Sequence, residues 1–145
     1  MTKKTTFLIS GLLTLALLVA CSGMPKQEKS LYERLGGKEA ITAVVNHLWT
    51  VVAKDDRINH YFANTNPDVF AGQMIDFLCQ GTGGPCVYKG KDMYAAHTGM
   101  HLSNADFDAL AEDTVQTLNH FKVPQQEQDE VMKLLGGMRE SIINH

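Results

Sequence analysis

Gly81-Thr82-Gly83-Gly84-Pro85-Cys86-Val87-Tyr88-Lys89-Gly90-Lys91-Asp92-Met93-Tyr94-Ala95-Ala96-His97-Thr98-Gly99 runs through the middle of a 145-residue chain. Its first half cannot continue a helix, because Gly83-Gly84-Pro85 combines the residues that least tolerate helical backbone, and the segment stays irregular through Gly90. Its second half closes into a short amphipathic turn, Met93 to His97, that can direct an imidazole inward from a loop. A connection of this length inside a small domain is of a kind that carries function.

On both sides of this loop the apolar residues follow a helical period. Upstream, a helix is expected from about Lys38 to Ala53, with Val44, Val45, Leu48, Trp49 and Val52 on one stripe. A charged corner, Lys54 to Asn59, and the aromatic pair Tyr61-Phe62 follow. Asn66-Pro67-Asp68 is a helix start, in which Asn accepts from a free amide, Pro suits the first helical position and Asp complements the dipole. That helix should reach about Gln80, with Phe70, Met74, Phe77 and Leu78 on its apolar face. Downstream, Ser103 opens a third helix with Asp106 as a capping-box partner, and Phe107, Leu110, Ala111, Val115, Leu118 and Phe121 mark its buried side. Pro124 opens a fourth, whose stripe Val131, Leu134, Leu135, Met138 and Ile142 extends to Ile142.

Composition agrees with a helical domain. Aromatics are 8% of the chain and Pro numbers 4, and no Asn-Gly or Asp-Gly hairpin dipeptide occurs, so the expected class is all-α. A net charge of -3, without a basic stripe, excludes nucleic acid as the expected partner.

The N-terminus carries a separate message. Lys3 and Lys4 precede an uncharged run from Phe7 to Ala20, shorter than a membrane span but suited to a signal-peptide core. Leu18-Val19-Ala20-Cys21 resembles a bacterial lipobox, in which Cys21 receives a diacylglycerol and cleavage falls before it. The expected organisation is a signal peptide over 1–20, a lipidated tether over 21–29 and one domain over 30–145. The membrane partner is then reached through the lipid anchor, since cleavage removes Lys3 and Lys4 and no basic clamp remains. Ser22 after the cysteine resembles the sorting pattern of outer-membrane lipoproteins, which implies an envelope location facing the periplasm.

Taken in order, Leu31-Tyr32-Glu33-Arg34-Leu35-Gly36-Gly37, Tyr61-Phe62, Gly83-Gly84-Pro85, Tyr88-Lys89-Gly90 and Met93 through His97-Thr98-Gly99 resemble a group I truncated haemoglobin. The resemblance spans Ser30 to the C-terminus. It implies a two-over-two helical sandwich holding haem b (iron protoporphyrin IX), with His97 as the proximal iron ligand and Phe62 packed against the porphyrin. Phe70, Met74, Phe77 and Met93 are expected to keep the pocket dry. The implied partners are oxygen, nitric oxide and carbon monoxide, and redox turnover such as nitric oxide dioxygenation would draw on a separate electron donor. Two departures bear on ligand choice: Trp49 stands where the family usually carries a distal tyrosine, and Met74 where it often carries a glutamine. The thioether of Met74 donates no hydrogen bond, and Trp49 donates only through its indole nitrogen.

The cysteines admit more than one reading. In an oxidising compartment, with Cys21 lipidated, Cys79 and Cys86 are left to form a disulfide, or stand as two reduced thiols. Alternatively Cys79, Cys86, His97 and His101 form a Cys2His2 zinc set, although six residues between the cysteines exceed the usual ligand spacing. Covalent c-type haem lacks its Cys-x-x-Cys-His sequence. The remaining alternative is a lipid-anchored helical interaction module without a cofactor.

Overall fold

The computed structural model describes residues 28–143, so Cys21 and the expected signal peptide and lipobox lie outside the described residues. Among the described residues there are six helices: α1 (Leu31–Leu35), α2 (Gly37–Val52), α3 (Pro67–Gly81), α4 (Met93–His97), α5 (Asn104–His120) and α6 (Gln125–Gly136). Short 3-10 turns cover Asn59–Phe62 and Arg139–Ser141, and no strand occurs among the described residues. α2 packs on α3 and α5, and α6 packs on α5 and α1, giving two layered helix pairs.

The helix boundaries follow from local chemistry. Asn66 accepts from the amides of Asp68 and Val69 at 3.0 and 3.2 Å and starts α3 with Pro67 in its first turn. At α5 the Ser103 hydroxyl accepts from the Asp106 amide, and the Asp106 carboxylate accepts from the Ser103 amide at 2.8 Å. This reciprocal cap satisfies two donors that the helix leaves open. α1 is not anticipated by periodicity, because five residues are too few to show one. It forms by the same box, with the Glu33 carboxylate accepting from the Ser30 amide at 2.8 Å, and it ends at Gly36, whose φ of +100° disfavours any residue with a Cβ.

The fourth helix is shorter than its apolar stripe. α6 stops at Gly136, where Gly136-Gly137 withdraws helix propensity. Ile142 leaves the helix yet remains buried through the following 3-10 turn.

Three clusters form the core. Leu48, Val52, Ile58 and Ala109 support Tyr61 and Phe62; Ile41, Val45 and Cys79 pack with Met74 and Leu78; Phe107, Ile142 and Ile143 pack with Met93 and Met138. They stand apart because a cavity lies among them.

Candidate functional site

α3 and α4 face a cavity of about 500 Å³ whose walls are chiefly apolar. Phe62, Phe70, Met74, Phe77, Met93 and His97 all line it, and all are only half-buried. Large apolar side chains on inward helix faces normally close on one another. Here they border empty volume, as the wall of a ligand site does.

The loop before α4 is pinned to the end of α3. Cys79 and Cys86 are joined by a disulfide with Cα atoms 5.7 Å apart. The Gly84 amide donates to the Cys79 carbonyl at 2.7 Å, and a Cβ at Gly84 would fall 2.8 Å from the Cys79 sulfur and 2.5 Å from the Tyr32 ring. Only glycine fits there. The Tyr88 amide then donates to the Gln80 side chain at 2.8 Å, and the Tyr88 ring meets Phe77 edge-on at 5.2 Å. With both sulfurs bonded to each other, Cys79 and Cys86 cannot be the zinc ligands of the Cys2His2 alternative, and His101 is exposed.

α4 is a single turn capped by Asp92, whose carboxylate accepts from the Ala95 amide at 2.7 Å. It ends on His97. The Nδ1 nitrogen lies 2.6 Å from the Met93 carbonyl. A carbonyl only accepts, so Nδ1 carries a proton and donates; in the neutral imidazole the lone pair is then on Nε2. This backbone contact orients an imidazole for metal ligation and strengthens it as a donor.

Trp49 packs directly on the cavity wall, its ring 5.1 Å from Phe70 and 5.9 Å from Phe62. The helical period puts it on the inward side of α2, next to Leu48, and it fills the space between the Asn59–Phe62 turn and α3. Gln73, Tyr88, Met100 and Leu102 are among the lining residues that were not singled out as site residues from the sequence. Gln73 borders a recognised apolar stripe and reads as solvent-facing, whereas Tyr88, Met100 and Leu102 sit in irregular backbone where no periodicity reports a side chain's direction.

The polar atoms of the cavity are few. Tyr61 and Asp106 both line it, and the Tyr61 hydroxyl donates to the Asp106 carboxylate at 3.3 Å. Burial, then the Asp106 charge, pushes the Tyr61 phenol up, while hydrogen bonds from Ser103 hold the Asp106 carboxyl below its ordinary value. The cavity also reaches past the α4 region to Leu35 at the end of α1, to Ala40 near the start of α2 and to Val123 and Leu134 around α6.

An apolar cavity between two helix pairs, with one oriented imidazole in its wall, defines a globin-type site. The family model for bacterial-like globins matches residues 30–144. The group 1 truncated hemoglobin of Tetrahymena thermophila is 40% identical over 118 residues, 81% of this chain and 98% of the relative. That of Synechocystis sp. is 35% identical over 74% of this chain and 90% of the relative. The crystal structure of truncated hemoglobin from Tetrahymena pyriformis in its Fe(III) form superposes with a TM-score of 0.78 at 38% identity, covering 81% of this chain and all of that one. The chain belongs to the group 1 truncated hemoglobins.

Proposed function

We propose that this protein binds haem b in the cavity, with His97 Nε2 as the iron ligand, and that it binds small diatomic gases there. The observation that carries this reading is the His97 imidazole in the cavity wall, with its Nδ1–H tied to Met93 and its Nε2 lone pair unused. The site fits the group: the volume is large, the walls are apolar, and the single strong neutral nitrogen donor is preset. Phe62, Phe70, Met74, Phe77 and Met93 would pack the macrocycle and exclude water. When bound, haem supplies an iron centre for oxygen, nitric oxide or carbon monoxide. Phe70 and Met74 offer that centre no hydrogen-bond donor, which favours ligands that need little charge stabilisation. Redox use, including nitric oxide removal, relies on an electron donor outside this chain.

We place the protein in the cell envelope, attached through Cys21 and facing the periplasm from the outer membrane. The lipobox-like Leu18-Val19-Ala20-Cys21, Ser22 and the Cys79–Cys86 disulfide support that location. Titrating haem into the purified chain tests the main reading. An intense Soret band that saturates at one haem per chain is the expected result. No saturable band would leave a helical module without a cofactor.

A further inference from the structure

Away from the cavity, α5 buries a carboxyl group that no helix needs. Asp113 is 4% exposed, and its Oδ2 oxygen has no hydrogen-bond partner among the described residues. An ionised oxygen left this way is costly, whereas a protonated one can donate. The group facing it is another carboxyl, Asp55, just beyond the end of α2, and the two line one small polar recess. Two ionised carboxylates so placed repel and neither has a hydrogen to give, whereas a proton on one lets it donate to the other.

The surroundings decide which oxygen carries it. Asp55 accepts from the Arg57 amide at 2.9 Å, from its Nε at 3.0 Å and from its Nη2 at 2.7 Å. These charge-assisted bonds hold the Asp55 carboxyl below its ordinary value and keep it ionised. Asp113 has no such donor, and burial, followed by the Asp55 charge, pushes its carboxyl up. The other charged groups here are Glu112 on α5, which binds Arg57 at 2.7 Å, and Lys54 and His47 on α2. Glu112 favours the proton on Asp113 and Arg57 opposes it. Burial, then His120 and Lys54, keep the His47 imidazole toward its neutral form.

We propose that Asp113 holds a proton in the folded protein and donates it to the Asp55 carboxylate, forming an acid-set latch between α5 and the corner that carries Phe62. Asp55 is the anchor of that corner. Its carbonyl accepts from the amides of Ile58 and Asn59 at 3.1 and 2.8 Å, and the 3-10 turn that follows ends on Phe62 in the cavity wall. Ile58 packs with Leu48, Val52 and Ala109 beneath it. With the proton in place the corner is tied to α5. Without it, two anions stand side by side in a buried position and repel.

The sign follows from linkage. A carboxyl whose folded value is raised binds its proton more tightly in the folded state. Its stabilisation is full below the unfolded carboxylate value and is lost as pH rises through the folded value.

The test is urea unfolding of the haem-loaded full chain and its Asp113→Asn variant from about pH 4 to about pH 8. Asn donates an N–H to Asp55 at every pH, so the variant keeps the latch closed. The wild-type unfolding constant should rise relative to the variant by up to about tenfold per pH unit across the raised interval, then level off. A ratio independent of pH overturns the proposal. Carbon-13 carboxyl resonances of the wild type give a second measurement that does not depend on the variant folding. Asp113 should titrate above the ordinary carboxylate range and drop toward it in Asp55→Asn; titration at or below that range in the wild type also overturns the proposal.

Discussion

The Trp49 and Phe70 rings lie 5.1 Å apart at 46°, and Phe62 meets the same indole edge-on at 90°. Phe62 and Phe70 line the cavity, and the indole supports both rings. Trp49→Phe should leave oxygen release from the haem-loaded protein nearly unchanged, while Trp49→Ala should cost about 1–3 kcal/mol of stability by opening the aromatic triangle. Oxygen release itself should be fast. Losing a charge-assisted hydrogen bond removes on the order of 1.5–3 kcal/mol, roughly tenfold to more than a hundredfold in dissociation. Stopped-flow exchange with carbon monoxide measures it. Slow release that becomes fast in Gln73→Ala would instead assign the donor to Gln73, the amide in the cavity wall.

The disulfide closes a short loop at the end of α3. On the chain-entropy relation, an eight-residue loop stabilises by about 2.5 kcal/mol. Cys86→Ser breaks it while keeping Cys79, which is fully buried, as an apolar core group. Urea denaturation should show a loss of that size, and dithiothreitol should reproduce it in the wild type. An equal midpoint with and without the bridge would mean that the loop is held by Gly84, Gln80 and Tyr88 alone.

The Ser103–Asp106 cap makes a pH prediction of opposite sign to the Asp113 latch. Hydrogen bonds from Ser103 depress the folded Asp106 value. The stabilisation is therefore present above the unfolded carboxylate value and is lost as pH falls through the folded one. Ser103→Ala should cost about 1 kcal/mol at neutral pH, and the difference from wild type should shrink in acid. Thermal melts at the two pH values check it, and a constant difference would assign the loss to the hydroxyl alone.

For the N-terminus, the expectation is that Cys21 bears lipid. Cells producing the full chain should hold it in the membrane fraction, and Cys21→Ser should release it or leave the signal peptide uncut. Mass spectrometry of the mature protein showing an unmodified Cys21 would remove the anchor.

The four long helices were legible because each has a stripe long enough to display its period, and two of them have a capping side chain that could be read directly, Asn66 and Ser103. His97 was legible for a different reason, standing at the end of a short apolar turn after glycine-rich backbone. What stayed hidden is instructive in physical terms. Periodicity gives the face of α2 but not the depth, so it could not tell that Leu48 is buried while Trp49 is only half-buried against Phe62 and Phe70. It also extends a stripe through Gly136-Gly137 to Ile142, where backbone propensity ends the helix and a tighter turn buries the same side chain. Asp113 was invisible, since a charged residue among Glu112 and Thr114 reads as solvated until the structure sets Asp55 against it.

The most direct test of the account is the absorption spectrum of the reduced, haem-supplied protein beside that of His97→Ala, with circular dichroism confirming that both chains remain helical. The wild type should show a saturable Soret band with the five-coordinate ferrous form of an imidazole-ligated haem, or a six-coordinate form that disappears in Met74→Leu. His97→Ala should fail to retain haem through gel filtration, or hold it with an altered ferrous spectrum that added imidazole restores. An unchanged ferrous spectrum and undiminished haem retention in His97→Ala would contradict the assignment of His97 as the iron ligand.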